Sequence, residues 1–364
     1  MTEHPAPSSL KRRTPISLSS IRDRLLASVL AGLSGGTTRP NRPANVSKTP
    51  QNQGERGRKA DTPSEIPAKG WKDIGWRVYE GMQNDRVLLI AAGVTFYSLL
   101  AAFPAIAAVV ALYGLVADPH TINEQLALLA GFVPDGAVQV IGDQIKLLLE
   151  QGTKTLGFAL IVGLAVSLWG ANAATKAVFD ALNVIYGEKE KRSFVKLNLY
   201  SLTFTLGAIL VLLLAAGSVV VVPALLAALG IESLLALLRW PILLLAILVA
   251  LASLYRYGPS RVRAEWRWVT WGSVLAALLW LSVSMAFSWY VANFGSYNAT
   301  YGSLGAVIGF MTWMWLSTIV VLLGAKVNAE LEHQTAQETT EGADKPMGTR
   351  GAQMADSVGQ THGD

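Results

Sequence analysis

The sequence predicts an all-α, polytopic membrane protein with six transmembrane helices. Of its 364 residues, 52% are hydrophobic and only 15% are charged, whereas soluble globular proteins have about 25% charged residues. The charge is concentrated near the N-terminus, because 15 of the 30 Lys and Arg residues lie within residues 1–86. The rest of the chain is divided into apolar runs, and a helix needs roughly 20 apolar residues to cross a bilayer. This composition excludes an ordinary soluble enzyme, a coiled coil and a fully disordered protein.

The N-terminal region divides into a tail and a helix. Residues 1–70 are basic, rich in Pro and poor in apolar side chains, so they cannot offset the entropy of folding and are predicted to be disordered. Residues 71–86 carry Trp71, Ile74 and Val78 at helical spacing, with charged residues on the other faces. This pattern predicts an amphipathic helix at the membrane interface, just before the first span. An ordinary amphipathic linker helix is the alternative.

The membrane domain is predicted to extend over residues 87–330. Its six apolar runs lie at 87–117, 156–182, 197–222, 234–257, 266–291 and 301–327. The fourth run is the weakest, because Arg239 and Pro241 lie inside it. In the loop between the first two spans, apolar residues at helical spacing predict two amphipathic interfacial helices. Residues 331–364 are polar without apolar periodicity, and we predict a disordered C-terminal tail.

The basic residues of the loops predict the orientation. Lys and Arg cluster in the N-terminal tail, in the loop between spans two and three, and in the loop between spans four and five. The other loops have few basic residues. By the positive-inside rule, both termini are expected in the cytoplasm, which requires an even number of spans and supports six.

No motif for catalysis is present. The chain has no Cys and only four His, and it contains no P-loop, serine-hydrolase elbow or zinc-protease pattern. Glu330 and His333 have the spacing of a di-iron ligand pair, but such a site needs a second copy and two further Glu residues. We therefore expect no catalytic residue, no metal site, no cofactor and no enzymatic activity.

Polar side chains inside the second span are the first candidates for a functional site. Four of them recur at helical spacing and share one narrow face: Asn172, Lys176, Asp180 and Asn183. Because polar groups are costly in lipid, this face is predicted to line a translocation path. The alternative is an i, i+4 pair in which Lys176 and Asp180 neutralise each other near the interface.

The first span offers a second part of the same path. Pro104 lies midway along it and is predicted to kink the helix and free a backbone carbonyl. Tyr97 places a polar group just before this break. Transporters use broken helices of this kind to bind substrate, although a plain proline kink is the alternative.

Two further groups of residues have predicted roles outside the path. Arg256, Arg261 and Arg263 form a basic turn that is predicted to contact anionic lipid headgroups; the alternative is that they only reflect the positive-inside rule. Gly305 and Gly309 have the small-residue spacing that allows close helix contact, and we predict a packing role.

Several stretches, occurring in order, match motifs that we associate with one family. They are GVTFYSLL at 93–100 followed by Phe103-Pro104, ALNVIYG at 181–187, LYR at 254–256 followed by Pro259, YGSLGAVI at 301–308 and LGAKVNAE at 323–330. Together they resemble the YihY/BrkB family over about residues 71–332. The resemblance implies a six-span protein of the bacterial inner membrane. Family members carry ribonuclease, virulence-factor and transporter names, so the resemblance implies no catalytic residues.

The sequence favours an ATP-independent transporter or lipid flippase of unknown substrate. A non-transporting scaffold for envelope assembly, virulence or resistance is the alternative. A tRNA-processing ribonuclease is less favoured, because the acidic residues are scattered rather than clustered for metal binding. The expected partners are membrane lipid and an unidentified transported solute or lipid, with no specific nucleic acid, and the sequence is compatible with a homo-oligomer.

Overall fold

A computed structural model describes residues 54–116, 153–229, 232–294 and 303–362. These residues form seven α-helices: α1 (Ala68–Asn84), α2 (Val87–Val116), α3 (Thr153–Ile185), α4 (Phe194–Leu229), α5 (Glu232–Tyr257), α6 (Trp266–Phe294) and α7 (Ser303–Glu332). Two short 3-10 helices, Gly54–Arg56 and Pro63–Glu65, precede α1. In the described part of the chain, β-pairing is limited to one isolated bridge, between Ala264 and Thr340.

The fold is that of an all-α, polytopic membrane protein, as predicted. Among the described residues, four helices are long and apolar enough to cross a membrane, with candidate spans at Ile161–Ile185, Phe194–Val211, Trp266–Val291 and Val307–Glu332. The count rises to five if α1 and the first half of α2, which meet at an angle of 59°, form one span. Six spans are therefore not confirmed. The loop predicted to hold two amphipathic helices lies largely outside the described residues.

Helix α5 contains the fourth predicted span, and among the residues whose side chains are described its apolar part begins at Pro241. Its apolar part, Pro241–Tyr257, is below the length of the other candidate spans. Arg239 and Pro241 lie inside α5 without ending it, since the helix continues from Glu232 to Tyr257.

Helices α6 and α7 cross closely at Gly272 and Gly324. A Cβ atom added to Gly272 would overlap the carbonyl oxygen of Gly324, and one added to Gly324 would lie 2.6 Å from the carbonyl oxygen of Gly272. Next to this crossing, the side chain of Asn328 accepts a hydrogen bond from the Gly272 backbone N–H at 2.7 Å and donates one to the Val269 carbonyl at 3.0 Å. The two helices are thus joined by backbone contact and by a buried amide.

The glycine pair that the sequence favours for packing does not mark this crossing. Gly305 is buried, but a Cβ atom added to Gly309 would meet no heavy atom within 4 Å. The close approach on α7 lies about four turns after Gly309, at Gly324. Spacing alone does not say which glycine faces a neighbouring backbone.

One end of the helical bundle is covered by helix α1 together with loops and terminal segments, and we call it the polar end. It consists of residues 54–67, α1, the loops 186–193 and 258–265, and the segment 333–362. Backbone hydrogen bonds join these segments, from Ala336 N–H to the Arg58 carbonyl and from Val262 N–H to the Gly351 carbonyl. A small apolar cluster lies inside, formed by Ala60, Ile66, Ile74, Val78, Trp268, Val327 and Leu331.

The polar end differs from the disordered tails predicted at 1–70 and 331–364. Residues 54–67 and 333–362 pack on the bundle, while residues 1–53 lie outside the described part. The reason is that these segments fold through polar contacts, which leave no apolar periodicity in the sequence. Arg350, for example, is buried and donates hydrogen bonds to the carbonyls of Ala336, Gln337, Lys345 and Ala355.

Helix α1 buries its apolar stripe against protein. Ile74 and Val78 are buried in the cluster with Trp268 and Leu331. Trp76 and Tyr79 are exposed on another face. This arrangement favours the linker-helix interpretation for the Ile74 stripe. The Trp76 ring stacks on His362 with centroids 4.0 Å apart, while Tyr79 remains 61% exposed.

Candidate functional site

A seam of polar side chains runs between α3 and α4. The Lys176 ammonium donates a hydrogen bond to Asn198 Oδ1 at 2.5 Å. The hydroxyl groups of Thr175 and Thr205 are 2.8 Å apart. These four residues are the α3–α4 seam. Because hydrogen bonds between side chains offset part of the cost of polar groups in lipid, the seam explains how α3 can carry a Lys inside a span.

The predicted i, i+4 pair between Lys176 and Asp180 is not formed. Lys176 turns instead to Asn198 on α4. Asp180 is exposed on the surface of α3, and no partner for its carboxylate is found among the described residues. Neutralisation within one helix therefore does not account for these two charges.

Asn172 lies deeper along α3 than Lys176. Its Oδ1 atom is buried and has no hydrogen-bond donor among the described residues. An unpaired buried acceptor costs roughly 1–3 kcal/mol. A polar acceptor is therefore available about one turn beyond the α3–α4 seam.

Asn183 belongs to the polar end rather than to the seam. It is buried, its Oδ1 accepts a hydrogen bond from the Ser260 N–H at 2.7 Å, and its amide donates to Glu190 at 3.1 Å. Asn183 thus ties the loop after α3 to the loop after α5. The four-residue face predicted from spacing is divided between two environments.

Tyr97 and Pro104 lie on α2. Tyr97 is 40% exposed and packs edge-on against Phe96, with ring centroids 5.7 Å apart. Helix α2 continues through Pro104 as one helix from Val87 to Val116. The sharp bend comes earlier, between α1 and α2, where Arg86 has a φ of 51°.

A layer of buried ion pairs closes the polar end. Glu330 accepts from Arg77 Nε at 2.6 Å and lies 3.3 Å from the Lys326 ammonium. Lys326 also donates to Asp85 at 2.9 Å. The Lys326 side chain passes directly over Gly81, where an added Cβ atom would require it to shift. We call Arg77, Asp85, Lys326 and Glu330 the ion-pair layer; it joins α1 and the α1–α2 junction to the end of α7.

A second buried pair lies beside this layer. Arg261 donates to both oxygens of Glu332, at 2.6 and 2.8 Å, and neither side chain is exposed. The Arg261 guanidinium lies 4.2 Å from the ring centroid of Tyr186. Burial alone would lower the pKa of Arg261, but the charge of Glu332 raises it above its ordinary value. Burial also raises the pKa of the Tyr186 hydroxyl.

The three arginines predicted to contact lipid headgroups have different environments. Arg261 is bound to Glu332. Arg256 is buried, donates to the Ala264 carbonyl and pairs with Glu341 at 2.9 Å. Arg263 alone of the three is exposed. Among the described residues its guanidinium contacts only the Tyr257 ring, at 5.1 Å, so it is the one still available to an anion.

Sequence reasoning did not identify the ion-pair layer. Glu330 was considered with His333 as a ligand pair, and His333 Nδ1 does lie 3.4 Å from Glu330. No group of three or more His, Cys, Asp or Glu side chains suited to a metal ion occurs in the described part of the chain. The i, i+4 spacing of Lys326 and Glu330 was the available signal, but Arg77, which binds Glu330, and Asp85, which binds Lys326, are distant in sequence.

The comparisons with known proteins agree with the motifs. The family described as virulence factor BrkB matches residues 78–348, which include α2 to α7. The chain belongs to the BrkB family. No solved structure matches this BrkB-family chain.

Bacterial relatives carry different names. Ribonuclease-like protein YfkH of Bacillus subtilis is 29% identical over 257 residues, which cover 66% of this chain and 88% of the relative. A UPF0761 membrane protein of Photobacterium profundum is 26% identical, over 72% of this chain and 81% of the relative. A UPF0761 membrane protein of Tolumonas auensis is 28% identical, over 71% of this chain and 85% of the relative. This BrkB-family protein is therefore an integral, multi-pass membrane protein, and the names of its relatives do not agree on an activity.

Proposed function

We propose that this protein is an ATP-independent transporter or lipid flippase of the bacterial inner membrane. The observation that carries the proposal is the buried, donor-free Oδ1 of Asn172 next to the α3–α4 seam. Polar groups inside membrane spans are costly in lipid, and those that face a cavity or the bundle interior mark substrate and ion pathways. Asp180, exposed near the polar end of the same helix, would be the entry of this path.

The polar end would be the cytoplasmic side. Both terminal segments and the two basic loops meet there, since Gln353 N–H bonds to Glu188 and Val262 N–H bonds to the Gly351 carbonyl. The positive-inside rule assigns such an end to the cytoplasm. The ion-pair layer would then act as an inner gate, because its bonds hold α1 against α7.

Lipid scrambling in proteoliposomes tests the proposal. The probes are fluorescent phosphatidylglycerol and phosphatidylethanolamine, reduced from outside by dithionite. We expect wild-type protein to expose inner-leaflet probe faster than empty vesicles, and Asn172→Leu and Lys176→Gln to slow this step. Lys176→Gln can still donate to Asn198 but removes the charge. Thr312→Ala is the matched control, because its exposed hydroxyl bonds only to the Ile308 carbonyl of its own helix.

Two outcomes would contradict the proposal. Wild-type protein that moves neither probe faster than empty vesicles excludes a flippase for these lipids and favours the envelope scaffold. The scaffold has its own support, because the buried pair of Arg261 and Glu332 joins the loop after α5 to the end of α7. Equal rates in Asn172→Leu and wild-type protein would remove the seam from the path.

We also propose that the chain has no ribonuclease activity, although one relative is named ribonuclease-like. Nuclease sites usually cluster carboxylates for metal, or place His and Lys around a phosphate. In the described residues the buried acids are occupied by Arg and Lys partners, as in the pair of Glu330 with Arg77. Cleavage of a structured RNA with added Mg²⁺, following the protein peak through gel filtration, would contradict this.

A further inference from the structure

A shallow depression of about 330 Å³ lies beside α4 at the polar end. Its lining is formed by Leu199, Tyr200, Thr203, Phe204, Tyr257 and Arg263. Leu199 is 63% exposed, so the apolar wall of the depression is open to its surroundings. The depression lies where the span Phe194–Val211 begins, at the level of an interface between lipid and water.

Arg263 differs from its neighbouring arginines in having no carboxylate partner among the described residues. Four other arginines lie in or beside the loops 186–193 and 258–265, and each is paired with a carboxylate. The pairs are Arg192 with Glu190, Arg256 with Glu341, Arg261 with Glu332 and Arg267 with Glu265. The nearby acid Glu341 donates its backbone N–H to the Arg263 carbonyl, but its carboxylate is bound to Arg256. The guanidinium of Arg263 is therefore the uncompensated positive charge of the depression.

A second cation lies along the same helix face. Leu199 and Tyr200 lie three and four residues after Lys196, and Thr203 lies four residues after Leu199, which places these side chains on one face of α4. Lys196 is exposed, and no acceptor for its ammonium is found among the described residues. Lys196 is thus a second exposed cation, about one turn before the α4 residues Leu199 and Tyr200 that line the depression.

We propose that this depression is a binding site for one anionic phospholipid of the adjoining leaflet. The phosphate lies between Arg263 and Lys196, and an acyl chain lies against Leu199 and Phe204. Basic residues at a bilayer surface attract anionic lipids, while the apolar wall accounts for a lipid rather than a free anion. The site does not depend on the proposed transport, because occupancy is measured at equilibrium.

The absence of Cys from the chain makes a direct test available. Leu206→Cys, one turn deeper on the same exposed face of α4, is labelled with bimane in nanodiscs. Quenching is followed against the mole fraction of brominated phosphatidylglycerol or brominated phosphatidylcholine. We expect phosphatidylglycerol to reach half-quenching at a lower mole fraction, and Arg263→Gln to weaken this preference about fivefold, the equivalent of about 1 kcal/mol. Lys196→Gln should act in the same direction.

The matched control is Arg267→Gln, which removes an exposed arginine that is already paired with Glu265. It should leave the phosphatidylglycerol curve unchanged. Equal curves for the two lipids in the wild-type background would overturn the proposal, as would an unchanged preference in a monodisperse Arg263→Gln protein. Inorganic phosphate, compared with chloride at equal ionic strength, should not displace the lipid; displacement would show that the site recognises phosphate alone and would also overturn it.

Discussion

Arg261, in the loop after α5, donates two hydrogen bonds to the carboxylate of Glu332, the last residue of α7, at 2.6 and 2.8 Å. Both side chains are fully buried. A buried pair is not by itself evidence of high stability, because desolvation opposes the attraction of the charges. Removal of one partner is different, since it leaves an unpaired charge in a buried site. The pair therefore fixes where the α5–α6 loop docks on α7.

The first prediction concerns this pair. Glu332→Gln should destabilise the protein by about 3–5 kcal/mol, the usual cost of an orphaned buried charge. Replacing both residues, as in Arg261→Leu with Glu332→Leu, should cost less than Glu332→Gln alone. Thermal unfolding in detergent measures both. Lys69→Ala is the control, because its pair with Glu55 is exposed and should contribute at most about 1 kcal/mol; an equal loss in the control and in Glu332→Gln would contradict the prediction.

The second prediction compares two glycines of α7. Gly324→Ala should destabilise the protein by about 1–3 kcal/mol, because the new methyl group would meet the Gly272 carbonyl and the Ala276 side chain. Gly309→Ala, on the same helix, should be neutral or stabilising because nothing lies within 4 Å of its Cβ position. Unfolding midpoints of the two variants decide the matter. A lower unfolding midpoint for Gly309→Ala than for Gly324→Ala would contradict the prediction and indicate that the close helix contact is at Gly309.

The third prediction concerns Glu190 in the loop after α3. Burial alone would raise the pKa of Glu190, but hydrogen bonds from the Arg192 side chain and backbone and from Asn183 lower it to about 2. Because the folded pKa lies below its ordinary value of 4.5, this carboxylate stabilises the loop above about pH 4.5, and the contribution is lost as the pH falls toward 2. Hydrogen exchange of residues 186–193 should rise over this range.

Glu190→Gln is the matched variant for that measurement. It keeps an acceptor for Arg192 but cannot titrate, so exchange in this loop should become independent of pH between 4.5 and 2 once the intrinsic rate is corrected. An equal rise in hydrogen exchange of this loop in wild-type protein and in Glu190→Gln, as the pH falls from 4.5 to 2, would mean that another group causes the effect.

The fourth prediction concerns the segment after α7. If residues 333–362 pack as described, they should resist limited proteolysis although their composition is that of a tail. Arg350→Ala removes donors to four backbone carbonyls and should make the segment cleavable. Lys345→Ala, an exposed basic residue nearby, is the control. Rapid cleavage of the wild-type segment would contradict the packing.

The sequence predicted the parts of this protein that apolar burial determines. Long apolar runs identified the helices around Leu182, Val269 and Val320, because lipid and helix packing both select apolar residues there. The polar end was not predicted, since Arg350 and Asn183 act through hydrogen bonds to distant backbone groups that have no periodic signal. For the same reason, helical spacing placed Asn183 with Lys176, whereas a contact with Ser260 decides its position.

The last prediction concerns topology. Arg58 and Ala336 are joined by a backbone hydrogen bond, so both lie on one side of the membrane and the chain between them crosses it an even number of times. Single cysteines replacing the exposed residues Lys59 and Thr349 should both escape an impermeant maleimide in intact cells and react after lysis. Lys154→Cys, at the other end of α3, should react in intact cells. Opposite labelling of Lys59→Cys and Thr349→Cys would contradict an even number of crossings, while labelling of both from outside would reverse the orientation.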